Sequence, residues 1–68
     1  MRLKTLDPID TGGKIRPVAD TEFVGTPVVA YVIWLEDGFY VSMDHAMVFR
    51  ESLGDAMGYI ERKRKAMG

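Results

Sequence analysis

The residues whose types suit chemistry are few. Asp10-Thr11-Gly12 sets a carboxylate ahead of a glycine, and two such carboxylates brought together can share a proton and split their pKa values. Ser42, Asp44 and His45 bring a hydroxyl, a carboxylate and the single imidazole close together in sequence, the ingredients of a nucleophile with its base. Arg62-Lys63-Arg64-Lys65 is a compact basic run, and each such contact with a phosphate releases counterions and adds affinity that salt weakens.

Each of these has a plainer reading. The Asp10-Thr11-Gly12 triplet resembles the active-site triplet of aspartic proteases, but Asp and Gly are also the residues of a turn, through local hydrogen bonds and positive φ. Asp10-Thr11-Gly12 is expected to be such a turn. Ser42, Asp44 and His45 fall at a strand end and a turn, with no nucleophile-elbow pattern to expose the hydroxyl. One His and no Cys leave a zinc site to carboxylates, which is uncommon. Gly12-Gly13 is not followed by the helix start and Lys-Ser or Lys-Thr of a phosphate-binding loop. The sequence therefore reads as non-catalytic, with no cofactor and no metal.

The elements must be organised around residues 28–43. Eight consecutive apolar residues from Val28 to Leu35, rich in β-branched and aromatic types, read as a strand and are far too short to span a bilayer. Glu36-Asp37-Gly38 reads as a three-residue hairpin loop with Gly38 in the left-handed region, and residues 39–43 return as the second strand. That loop pairs Leu35 with Phe39, Trp34 with Tyr40, Ile33 with Val41, Val32 with Ser42 and Tyr31 with Met43. Alternation then puts Val29, Tyr31, Ile33, Leu35, Phe39, Val41 and Met43 on one face, the better core, and Val28, Ala30, Val32, Trp34, Tyr40 and Ser42 on the other. A two-residue loop would slip the register and mix the faces. Both faces are apolar, so something must cover the second.

Around the hairpin, residues 1–6 read as a short edge strand carrying Lys4, a residue that discourages further pairing. One strand is expected between residues 14 and 24, with Pro17 pushing it toward an edge or a loop. Asp44-His45 reads as a turn, and residues 46–49 as a last short strand or an extended lead-in. Ser52 and Asp55 form a capping-box-like start to a helix over about 53–66. Leu53, Ala56, Met57, Ile60 and Met67 supply its apolar stripe, with Tyr59 at the flank. The fold class is α+β, a single domain over 1–68, in which an antiparallel sheet of three to four strands built on the hairpin (28–35 and 39–43) packs on one C-terminal helix.

Composition narrows the function. The absence of cysteine, of a basic-then-apolar leader and of a membrane-length run points to a reducing cytoplasm and to no membrane association. Residues 1–60 hold five basic residues against nine acids, a balance of −4, and residues 61–68 hold four against one, a balance of +3. An acidic body argues against nucleic acid as the main partner, while Arg62, Lys63, Arg64 and Lys65 keep a nucleic-acid-binding or regulatory role open as the alternative.

Trp34 and Tyr40 on the second face, with Val32 beside them and Glu36 and Asp37 at the tip, form the expected binding surface for another protein or protein complex. If residues 1–24 fold over that face, Trp34 is instead core; a second copy making a homodimer would cover it equally well.

The segment Asp37-Gly38-Phe39-Tyr40-Val41 followed by Ser52-Leu53-Gly54-Asp55-Ala56-Met57 is similar to the strand–strand–helix core of HicB-type antitoxins, without the Pro-Asp segment and DNA-binding extension of that family. In size, lack of cysteine and acidic body the chain also resembles the small inhibitor and accessory proteins of phages and mobile elements, anti-CRISPR proteins among them. That resemblance implies a non-catalytic inhibitor that blocks a macromolecular surface, with acids at the hairpin tip competing for a basic groove.

Overall fold

In the computed structural model, residues 2–67 are described, without the side chain of Met67. They form β1 (Leu3–Thr5), β2 (Ile15–Asp20), β3 (Val28–Trp34), β4 (Phe39–Met43), β5 (Ala46–Arg50) and α1 (Leu53–Met67). The strands pair in sequence order, every neighbour antiparallel, as one five-stranded meander. The fold is therefore α+β with one sheet and one C-terminal helix, and the sheet has five strands rather than three to four. The extra count comes from the two edges of the sheet, where the short β1 and β5 are each complete strands. A single strand does occupy the 14–24 region, but it lies inside the sheet between β1 and β3 rather than at an edge or in a loop; Pro17, which has no N–H to give, takes part through its carbonyl, which accepts from Leu6 N–H at 2.8 Å. Met1 lies outside the described residues.

The central hairpin differs from expectation by one residue. Trp34 pairs with Phe39, Ile33 with Tyr40, Val32 with Val41 and Tyr31 with Ser42. Leu35 N–H donates to the Gly38 carbonyl at 2.9 Å, so the loop is the two residues Glu36 and Asp37. Gly38 does not take positive φ. It is glycine for want of space: a Cβ there would meet Phe49 Cε1 at 2.6 Å and the Arg50 carbonyl oxygen at 2.7 Å.

The slip recasts both faces. The face toward α1 carries Ala30, Val32 and Trp34 from β3, Phe39, Val41 and Met43 from β4, and Val18 from β2. Val18, Ala30, Val32, Val41 and Met43 are buried there with Ala56 and Ile60 of the helix. A physical reason for this register is the pair of tyrosines. The three-residue loop would send Tyr31 into the core, where its hydroxyl needs a partner; the observed register puts Tyr31 and Tyr40 together on the solvent side. Val29, the extra residue where the β2–β3 register shifts, packs toward the core.

The helix forms as its start signals require. Ser52 Oγ accepts from Asp55 N–H at 3.1 Å, which satisfies one of the orphan donors of the first turn, and the Ser52 carbonyl accepts the first intrahelical bond from Ala56 N–H at 3.0 Å. Leu53, Ala56, Met57, Tyr59 and Ile60 pack on the sheet; Met67, the remaining stripe position, lies outside the described side chains. The helix packs on β3, β4 and β5, and its C-terminal half reaches Asp20 at the end of β2. Asp20 is wholly buried, its Oδ1 accepts from Glu22 N–H at 3.1 Å, and Arg64 Nε stands 3.9 Å from its Oδ2. A buried carboxylate needs such a counter-charge.

Candidate functional site

One helix covers one face; the other is accessible over β3 to β5, while at its β2 side Pro17 and Ala19 are buried. Strand pairing arranges it in rows. One row runs Ile15, Ile33, Tyr40, Phe49; the next runs Pro17, Tyr31, Ser42, Met47. Leu35 with Gly38 and Val28 with Ala19 close the two ends. Among these positions on β2 to β5 no side chain is charged; Lys4, beside Ala19 on β1, is the basic residue at the margin.

The open face is apolar and in part accessible. Met47 is 59% exposed, Tyr31 40%, Phe49 37% and Tyr40 36%. Scattered single exposures of this kind are ordinary, but here they are contiguous across neighbouring strands, which makes this face the candidate interaction surface. Tyr40 and Phe49 meet edge-on, with ring centroids 5.3 Å apart. The Phe49 ring in turn lies over Gly38, so the lack of a side chain there fixes the height of the aromatic pair.

The residues expected to bind do not stay together. Trp34 and Tyr40 lie on opposite faces, because the two-residue loop pairs Trp34 with Phe39 instead. Trp34 is half-buried on the helix side, edge-on to Phe39 at 5.6 Å and beneath the Arg16 guanidinium at 4.2 Å. Its indole N–H and Arg16 Nε are both buried without a hydrogen-bond partner. Val32 is fully buried in the core and has no surface to offer. Tyr40 belongs to the open face, and Glu36 and Asp37 are exposed at the hairpin tip.

Counting a two-residue loop would have moved Tyr31 beside Tyr40. Met47 and Phe49 were harder to find, because residues 46–49 are apolar at both parities and alternation gives no face. Their signal was the Asp44-His45 turn, which sets Phe49 opposite Tyr40.

The other candidates are taken up by structure. Asp10 Oδ1 accepts from Lys14 N–H at 2.8 Å and Ile15 N–H at 3.2 Å, and its carbonyl accepts from Gly13 N–H at 3.2 Å. The carboxylate thus organises a turn into β2, with Gly13 at φ 72°. Asp44 and His45 form the β4–β5 turn at φ 51° and 63°, the sign of a type I′ hairpin. Among the described residues no hydrogen bond joins Ser42, Asp44 and His45, and no cluster of His, Cys, Asp or Glu is arranged to hold a metal. The basic run is divided by helical periodicity: Arg62 and Lys65 are exposed, Lys63 and Arg64 are half-buried, and Arg64 faces Asp20.

No described helix is long and apolar enough to cross a membrane. Comparison of the chain with protein-family models, curated proteins and solved structures gave no match.

Proposed function

We propose that this is a non-catalytic binding protein that acts by laying the open face of its sheet on another macromolecule, in the manner of a small inhibitor or accessory protein of phage or mobile-element type. One observation carries the reading: Tyr31, Tyr40, Met47 and Phe49 make a contiguous, uncharged and accessible surface on a sheet whose other face already has its helix. Aromatic residues and methionine are enriched where protein interfaces gain their energy, and the acids of the hairpin tip border this surface. A protein partner with its own apolar patch suits it better than a phosphate backbone. The nucleic-acid alternative loses ground because Arg64 is engaged with Asp20, which leaves a reduced basic footprint.

Two double variants test the reading. Tyr31→Ser with Tyr40→Ser should abolish recovery of the partner from the producing cell while leaving the circular dichroism spectrum intact. Arg62→Ser with Lys65→Ser should leave recovery unchanged. The opposite pattern, with recovery needing the basic pair and tolerating the tyrosine changes, would overturn the proposal in favour of nucleic acid.

A further inference from the structure

The edge of the sheet at β5 is built to pair with itself. Two backbone bonds phase the ladder: Trp34 N–H donates to the Lys14 carbonyl at 2.8 Å, and Leu35 N–H to the Gly38 carbonyl at 2.9 Å. Even-numbered residues of β3 thus bond toward β2 and odd-numbered ones toward β4. Carried through the observed pairings, the alternation directs Phe39, Val41 and Met43 toward β5, and Ala46, Val48 and Arg50 back toward β4. Met47 and Phe49 are left with their N–H and C=O groups pointing off the edge. The side chain of Arg50 already donates to the Phe49 carbonyl at 2.8 Å, occupying one of its two lone pairs.

The two edges of the sheet differ. β1 is three residues long, carries Lys4 and runs into Pro8, all features that discourage added strands. β5 has five residues, Ala-Met-Val-Phe-Arg, with no proline, no lysine and no register irregularity in its pairing with β4.

We propose that β5 pairs antiparallel with β5 of a second copy of this chain about a two-fold axis through Val48. An antiparallel pair is self-complementary about such an axis, and only even registers match outward groups with outward groups. Centring on Val48 overlaps all five residues and sets Met47 opposite the partner's Phe49, each exchanging both N–H···O bonds, four bonds in all. It also sets His45 beside the partner's Glu51, an imidazole N–H donor against a carboxylate, twice over. A centre on Met47 would require His45, held at φ 63°, to act as a strand residue. A centre on Phe49 would oppose Glu51 to Met47. The Val48 register joins the open faces of the two copies into one surface, with the Ile15–Ile33–Tyr40–Phe49 row continuing into the partner's Met47–Ser42–Tyr31–Pro17 row. The pairing does not depend on what that surface binds.

Solution mass and amide hydrogen exchange over a concentration series test it. The expected result is a species of twice the 7.7 kDa chain mass, with Met47 and Phe49 amides protected in proportion to the dimer and exchanging freely on dilution. Met47→Pro removes an N–H that the single chain does not use and is compatible with an edge; it should raise the dimer dissociation constant at least about 30-fold, the worth of two ordinary hydrogen bonds. Met47→Lys keeps the N–H while charging the open face, and it should still dimerise. A monomer at every concentration, a dimer with unprotected Met47 and Phe49 amides, or a dimer lost with Met47→Lys and kept with Met47→Pro would each overturn the proposal. The last would place the two copies face to face. If Met47→Pro fails to fold, exchange in the unaltered chain decides.

Discussion

Replacing Gly38 by alanine tests the register and the aromatic pair together. The added Cβ would lie 2.6 Å from Phe49 Cε1 and 2.7 Å from the Arg50 carbonyl oxygen, well inside van der Waals contact. The ring has a side-chain torsion with which to retreat, but the carbonyl belongs to the β4–β5 ladder and cannot. Overpacking of this kind costs about 1–3 kcal/mol, and the loss of glycine's freedom in the unfolded chain returns about 0.5–1 kcal/mol. The net expectation is a destabilisation of about 1–2 kcal/mol. In a domain of this size that is a sizeable part of the total, and it should lower the thermal midpoint by about 10 °C.

Urea and thermal unfolding followed by circular dichroism measure it, and Gly38→Asn supplies the discriminating control. If Gly38 were present for a left-handed backbone, asparagine would be tolerated better than alanine. Because it is present for lack of space, asparagine should be worse. An alanine variant as stable as the parent, or an asparagine variant more stable than the alanine one, would refute the reasoning. Adding Phe49→Ala should relieve part of the clash but not the contact with the Arg50 carbonyl.

His45→Gly should stabilise the fold by about 1 kcal/mol in equilibrium unfolding, since glycine holds φ 63° without the Cβ penalty. Arg64→Ala should cost about 2 kcal/mol by leaving the Asp20 carboxylate buried without its counter-charge, and adding Asp20→Asn should recover part of that loss in a double-mutant cycle. Trp34→Ala should destabilise by about 3 kcal/mol through lost packing against Phe39 and Arg16, while Tyr40→Ser stays within about 1 kcal/mol of the parent, and denaturant titration of both reverses the ranking if Trp34 is the surface residue. Ser52→Ala should remove about 1 kcal/mol with the loss of the bond from Asp55 N–H.

Local chemistry alone determined a good deal of this protein. The β-branched run from Val28, the apolar stretch after Gly38, the Ser52 cap and the 3.6-residue spacing of Leu53, Ala56, Met57 and Ile60 each specify an element by rules that act within a few residues. They were legible for that reason. The turn roles of Asp10 and of Asp44-His45 were legible too, since short polar side chains and tolerance of positive φ belong to the residue itself.

Which face of each strand is inside was decided only in three dimensions. Residues 28–35 and 39–41 are apolar at both parities, so alternation carries no information there, and one residue of loop length exchanges the faces. The choice is made by contacts between distant parts of the chain: Gly38 beneath Phe49, Val32 and Val41 under Ile60, and two tyrosine hydroxyls kept in water. The candidate surface inherits that dependence. Tyr40 could be singled out from the sequence, whereas its neighbours Tyr31, Met47 and Phe49 joined it only once the register of the whole meander was set, because a binding face is a property of strands laid side by side and not of any one strand.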